Sequence, residues 1–368
     1  MTYTTHTQVI VVDAQRPDPA AIQQAAETLR AGRLVAFPTE TVYGLGANAL
    51  DSEAVARIYS AKGRPAYNPL IVHIASPDQI DRVAVAVPDL ARQLAEAFWP
   101  GPLTLVLKRH PHIPDNVSLG RDTVAVRLPS HPVAQALIAA AGVPVVAPSA
   151  NRFTRPSATT AQHVIDDLAG HVDVILDGGP TPIGVESTVL DLTATPPLVL
   201  RPGGVTIEAL RAIIPDVQRY SSMISLDDSR ARPASPGMLL KHYSPQAEVL
   251  LFNGPFEAVI EAMRRTAHER QVSGQRVGIF APDTDLRRFA DLDVLSASLG
   301  GDMEQFAQRL FAGLRALDEQ GVDVILARLL EPAGLGATVN DRLLRAAEGR
   351  VIEIRQEEGG DGDGSSTG

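Results

Sequence analysis

Short apolar runs alternate with stretches of helical periodicity along nearly the whole chain, and Gly, Pro, Asn or Asp bounds most of them. Runs such as 34–37 and 143–147 are apolar at consecutive positions, so as strands they are buried on both faces and need helices to cover them. That alternation is the pattern of an α/β fold. Asp18-Pro19 marks a first helix start and Gly32 its end. The same reading places helices over 52–62, 132–141 and 160–168, and further helices after Pro77 and Pro88. It places strands over 34–37, 70–74, 103–107, 124–128, 143–147 and 172–176, and a strand pair over 188–192 and 198–200 joined by a Pro-rich turn.

The pattern breaks near residue 218. Residues 1–217 read as one domain and 218–247 as a linker, polar at first and then crowded with Pro233, Pro236, Gly237 and Pro245. A second α/β unit follows over 248–355, with strands at 248–252, 276–280 and 322–326 and helices at 256–272 and 303–320. The Gly-, Asp- and Ser-rich tail over 356–368 is expected to be disordered.

Composition narrows the chemistry. The chain has no Cys, which excludes disulfides, thiolate zinc sites and Cys nucleophiles. A net charge of −10 and an aromatic content of 4% argue against gripping a long nucleic-acid backbone or stacking single-stranded bases. The apolar region 133–147 is interrupted by Gly142 and Pro144 and is too short to span a bilayer, and residues 1–13 lack the pattern of a signal peptide. These features predict a cytoplasmic protein that acts on a small substrate and makes no membrane contact; they are silent on oligomeric state.

Several segments at predicted strand ends can carry chemistry. Residues 38–46 place hydroxyls and glycines after a strand, either as a site or as a capped turn. Lys62 and Arg64 flank Gly63 ahead of Pro65, a point charge and a planar fork suited to a polyphosphate or to a solvated helix end. Alternation puts Thr123, Ala125 and Arg127 on one strand face, and a buried Arg127 needs an anionic partner, either a ligand carboxylate or an internal Asp or Glu. Ser149 and Asn151, the Glu186-Ser187-Thr188 segment and the Arg201-Pro202-Gly203-Gly204 segment add hydroxyls, amides and a cation at other strand ends. Together they suggest an anionic nucleotide site. No Walker-type phosphate loop occurs, Gly44-Leu45-Gly46 lacks the third Gly of a dinucleotide fingerprint, and no Gly-x-Ser-x-Gly elbow is present. His110 and His112 lack nearby metal ligands, and no metal held by protein side chains is expected.

Jointly these segments resemble the YrdC-like L-threonylcarbamoyladenylate synthases in their long form. The resemblance rests on Lys62-x-Arg64 with Ser149-x-Asn151 downstream, on Pro38 to Gly46, on the turn beginning at Trp99, and on Glu186-Ser187-Thr188. It implies a twisted open mixed sheet with a concave cavity, plus a smaller Rossmann-like α/β C-terminal domain. It further implies that ATP, L-threonine and bicarbonate are condensed to threonylcarbamoyl-AMP and pyrophosphate, with Mg²⁺ bound through the ATP phosphates. A downstream tRNA threonylcarbamoyl-transfer complex would consume the product. Carried over by position, Thr41, His73, Arg127, Ala147 and Ser187 would bind threonine. Arg64, Asn68, Thr123, Ser149, Asn151, Ser157, Arg201 and Tyr243 would bind ATP. Lys62 and Arg64 would be catalytic, and the linker, carrying Lys241-His242-Tyr243, would act as a lid over the site. A double-stranded RNA-binding module of the same fold is the alternative.

Overall fold

The computed structural model describes residues 7–65, 68–220 and 243–355. Its strands are β1 (Gln8–Val11), β2 (Val35–Phe37), β3 (Gly44–Asn48), β4 (Ile71–His73), β5 (Leu103–Lys108), β6 (Thr123–Arg127), β7 (Val145–Val146), β8 (Val174–Asp177), β9 (Thr188–Asp191), β10 (Leu198–Arg201) and β11 (Gln218–Arg219). They form one mixed sheet in the order β1-β8-β2-β3-β7-β4-β6-β5-β9-β10-β11. The second sheet contains β12 (Glu248–Asn253), β13 (Val277–Ala281), β14 (Leu295–Ser298), β15 (Val324–Arg328) and β16 (Val351–Glu353). Its order is β14-β13-β15-β12-β16, with every pair parallel. The expected mixed sheet and smaller Rossmann-like unit are both present.

Local chemistry explains the elements that hold the site. Asp18 caps the helix Pro19–Arg30 by accepting the Ala20 N–H at 3.1 Å, and its apolar face, including Ile22, Ala26 and Leu29, packs against the helix Pro132–Ala141 and strands β2 and β8. Asp51 likewise caps the helix Ser52–Lys62, accepting from Glu53 and Ala54. Gly63 ends that helix at φ +60, a conformation that suits a residue without Cβ. Lys62 therefore lies on the last helical turn and Arg64 on the loop just beyond it.

Some elements differ from the sequence expectation. Residues 44–48 are a strand rather than a turn, because Val35, Ala36 and Phe37 pair antiparallel with Gly46, Leu45 and Gly44. The segment after Pro77 is a short 3-10 helix, Pro77–Arg82. Strands β1 and β16 lie at sheet edges with mixed exposure, so neither has an uninterrupted apolar run. The helix Leu335–Ala346 was hidden because its buried face includes Asn340, Asp341, Arg342 and Arg345, which breaks apolar periodicity.

The two units share a core. Val42 and Val185 of the first pack in one cluster with Phe306, Leu310, Phe311, Val339 and Leu343 of the second. Burying each of those valines is worth about 1.5–3 kcal/mol. Residues 221–242, most of the expected linker and including Lys241 and His242, lie outside the described residues, as does the tail 356–368. Tyr243 is described, at φ +62 and fully buried. Among the described residues no helix is long and apolar enough to cross a membrane.

Candidate active site

Strands β4 and β6 run parallel and in register, so their last residues, His73 and Arg127, stand side by side at the same edge. Facing them is the turn after β2. Thr39 fixes this turn: its hydroxyl donates to the Val42 carbonyl at 2.6 Å and accepts the N–H groups of Thr41 and Val42 at 3.1 and 3.2 Å. The turn delivers Glu40 and Thr41 to Arg127, whose Nη2 donates to Glu40 Oε1 at 2.6 Å and to Thr41 Oγ1 at 2.9 Å. Glu40 Oε2 also accepts the Ser130 N–H at 3.1 Å. The internal carboxylate posed as one partner for Arg127 is thus Glu40, while the guanidinium still borders the cavity. His73 is buried beside this charge, and burial followed by Arg127 pushes its pKa down to about 3, so the imidazole is neutral near pH 7.

A second loop closes the floor. Lys62 donates from Nζ to the Ser149 carbonyl at 2.5 Å and to the Asn151 carbonyl, tying down residues 149–151. Burial first, and then the Arg64 charge, hold the Lys62 ammonium pKa well below the ordinary lysine value. Arg64 donates to the Asn68 carbonyl at 3.2 Å and the Pro69 carbonyl at 3.0 Å, and its side chain lines the cavity. Asn151 Nδ2 donates to the Arg152 and Arg155 carbonyls at 2.7 and 2.9 Å. Among the described residues, both polar atoms of the buried Asn68 side chain, and Oδ1 of Asn151, lack a hydrogen-bond partner. A buried amide left in this way costs about 1–3 kcal/mol, so these groups are suited to receive a ligand.

The third wall comes from β9 and β10. Arg201 donates to the Ser187 carbonyl from Nε at 3.2 Å and from Nη2 at 2.8 Å, and Ser187 Oγ lies 2.8 Å from Thr104 Oγ1. This close approach depends on Gly203, where a Cβ would sit 2.3 Å from the Ser187 carbonyl carbon and the Thr188 nitrogen. Glu186 accepts from Ser157 Oγ at 2.6 Å and from Arg342 Nε at 2.8 Å. Burial pushes the Glu186 carboxyl up, but Arg342 and Arg201 with these hydrogen bonds outweigh it and hold the group below the usual carboxylate range. The Tyr243 ring closes the wall, 5.1 Å from the Phe311 ring and 5.2 Å from the Arg342 guanidinium carbon.

One cavity therefore gathers Arg64, His73, Arg127, Ala147, Ser149, Ser187, Arg201 and Tyr243 from separate parts of the sequence. Thr41 stands against Arg127, Ser157 against Glu186, and Lys62 and Asn151 meet at the loop carrying Ser149. Thr123 does not line the cavity; it sits at the far end of β6, opposite Lys108 and partly exposed. Sequence reasoning missed Glu40 and Glu186 as site residues, although both occur in segments it had marked. The available signal was a carboxylate inside a run destined for burial, which needs a cationic partner. Among the described residues the cavity walls carry three arginines and Glu186 as the one carboxylate, a set that complements a ligand of negative charge.

Comparisons with known proteins place the chain in a family. A family model covering Sua5, YciO and YrdC, described as "Telomere recombination", matches residues 27–203. A second, described as the C-terminal domain of threonylcarbamoyl-AMP synthase, matches residues 205–348. The threonylcarbamoyl-AMP synthase of Pyrococcus abyssi is 45% identical over 348 residues, covering 94% of this chain and 99% of that protein. The Bacillus subtilis protein of the same name is 43% identical over 345 residues, covering 94% of this chain and 98% of its own. The crystal structure of P. abyssi Sua5 complexed with L-threonine superposes with a TM-score of 0.88 at 44% identity, covering 94% of this chain and 99% of that one. With both domain matches and full-length relatives at this identity, the chain belongs to the Sua5-type threonylcarbamoyl-AMP synthase family.

Proposed function

We propose that the cavity condenses L-threonine, bicarbonate and ATP to threonylcarbamoyl-AMP and pyrophosphate, supplying the threonylcarbamoyladenosine modification of tRNA through a downstream transfer complex. The observation that carries this reading is the convergence of three guanidinium groups, two serine hydroxyls and a neutral imidazole in one cavity. It is supported by membership in a family whose full-length relatives bear that name.

Arg127 takes the threonine carboxylate, with Thr41 and Ser187 supplying hydroxyls and the Ala147 carbonyl facing the amine. Because the Ala147 N–H is already donated to the Ile71 carbonyl at 3.0 Å, the carbonyl is the group offered. His73 is neutral, so it contributes a hydrogen bond rather than a second positive charge. The threonine amine attacks bicarbonate and water leaves, giving N-carboxythreonine. The new carboxylate oxygen attacks the α-phosphorus of ATP, and the bond to pyrophosphate breaks. No covalent enzyme intermediate is required, and the chain's contribution is positioning and charge stabilisation.

Arg64 and Arg201 face the phosphates, with Asn68, Ser149, Asn151, Ser157 and Tyr243 completing the nucleotide contacts. Lys62 holds the 149–151 loop through its two carbonyl contacts. Mg²⁺ carried on ATP would offset the charge of the phosphates beside Arg64 and Arg201. The site fits a cation carried on the nucleotide, because the one carboxylate lining it among the described residues, Glu186, is engaged by Ser157 and Arg342.

Incubating the protein with ATP, bicarbonate and each amino acid in turn tests the reading. The expected result is pyrophosphate release with threonine and an adenylate of matching mass. Salt-sensitive binding of double-stranded RNA without threonine-dependent ATP turnover would sink it in favour of an RNA-binding module.

A further inference from the structure

The second α/β unit reaches into the first through two buried arginines from different helices. Arg315, on the helix Met303–Glu319, donates to Asp167 Oδ2 and to the Pro156 carbonyl, both at 2.6 Å. Arg342, on the helix Leu335–Ala346, is completely buried and spreads its fork over three partners. Nε donates to Glu186 Oε2 at 2.8 Å, Nη1 to Asp341 Oδ2 at 2.5 Å, and Nη2 to the Pro202 carbonyl at 2.9 Å. The accepting groups flank the proposed nucleotide contacts: Pro156 precedes Ser157, and Pro202 follows Arg201.

Glu186 is the pivot. Its side chain is nearly buried between Ser157 on one side and Arg342 on the other, and it lines the same cavity as Arg201. Two buried guanidinium groups therefore compete for one carboxylate. Arg201 donates to Ser187 instead, and its charge remains directed at the cavity. Take Arg342 away and an uncompensated buried carboxylate remains, whose nearest relief is to turn toward Arg201. That would neutralise the cation meant for the nucleotide and release Ser157.

The geometry points to Arg342 as a positioning residue for the nucleotide half of the site: the C-terminal unit sequesters Glu186 so that Arg201 stays available to ATP and Ser157 stays held in place. This rests on the proposed function for the identity of the ligand. It gives the second unit a part in the reaction although, among the described residues, none from β12 onward lines the cavity.

The test is titration of ATP by calorimetry, with steady-state kinetics alongside, on the full chain and on Arg342→Gln, Glu186→Gln and the double variant. The expected result for Arg342→Gln is ATP affinity weakened at least about tenfold, with the threonine KM within about threefold of wild type. In the double variant no carboxylate remains to capture Arg201, so most of the lost ATP affinity returns. ATP affinity unchanged in Arg342→Gln overturns the inference, as do equal losses for ATP and threonine or no recovery in the double variant. Should Arg342→Gln fail to fold, the double variant decides: folded with near wild-type ATP affinity supports the role, and failure to fold makes Arg342 a structural pin only. A wild-type chain that binds no ATP sinks the parent reading itself, whereas wild-type binding with an unaffected Arg342→Gln sinks this inference alone.

Discussion

Replacing His73 by Gln removes a base that the fold keeps neutral. The imidazole lies at the end of β4 beside Arg127, with Nδ1 3.2 Å from the Ile71 carbonyl, and burial and the neighbouring guanidinium push its pKa down from 6.5 to about 3. In the unfolded chain the same imidazole titrates near its ordinary value. Below that value the unfolded state binds a proton that the native state refuses, so stability is full above about pH 6.5 and falls as pH drops toward about 3. Between about pH 7.5 and pH 5 a single such histidine costs about 2 kcal/mol. This window lies above the titration of the paired carboxylates Glu186 and Asp341, whose pKa values are held low. His163, whose pKa burial and then Arg315 push down to about 4, contributes in the same sense but is common to both proteins. Urea unfolding of wild type and His73→Gln at the two pH values therefore isolates the His73 share. The wild type is expected to lose about 2 kcal/mol more than the variant across this interval. Equal losses would mean that His73 takes up a proton in the folded state, refuting both the burial argument and the neutral imidazole assigned to the threonine site.

Three further outcomes follow from the same geometry. Arg127→Lys keeps a charge but cannot hold Glu40, Thr41 and a substrate carboxylate together, so the threonine KM is expected to rise about 10–100-fold with little change for ATP in initial-rate kinetics. Lys62→Met removes the donor to two buried carbonyls, and threonine-dependent pyrophosphate release is expected to fall about 10²–10³-fold; near wild-type turnover would remove Lys62 from the catalytic machinery. Gly203→Ala forces a methyl group into the backbone of residues 186–188, so a stability loss of about 1–3 kcal/mol is expected in chemical denaturation, together with weakened binding of both substrates.

The fold class and most site segments were legible because they depend on local signals. Consecutive apolar runs report strands buried on both faces, and the capped helix start at Asp18 reports where the chain changes direction. Lys62, Arg64, Ser149 and Ser187 lie at element ends, where short-range sequence places them. Elements lacking a strong apolar period escaped this reading. β1 and β16 lie at edges, and the helix Leu335–Ala346 buries charges alongside its aliphatic side chains.

Read alone, the chain's residues establish two α/β units, exclude thiol chemistry, and place cations and hydroxyls at strand ends. Which of them meet is settled by how the strands and the two units pack. Arg127 finds Glu40 at a separation of 87 residues, and Arg342 finds Glu186 at 156. Thr123 shares a strand face with Arg127 yet stays outside the cavity, because a strand spreads its residues along its length and the cavity opens at one end. Periodicity assigns a face, whereas strand order and domain docking assign a neighbour. The energy of a buried charge depends on that neighbour, and the pairings that set the electrostatics of this site are therefore properties of the assembled fold.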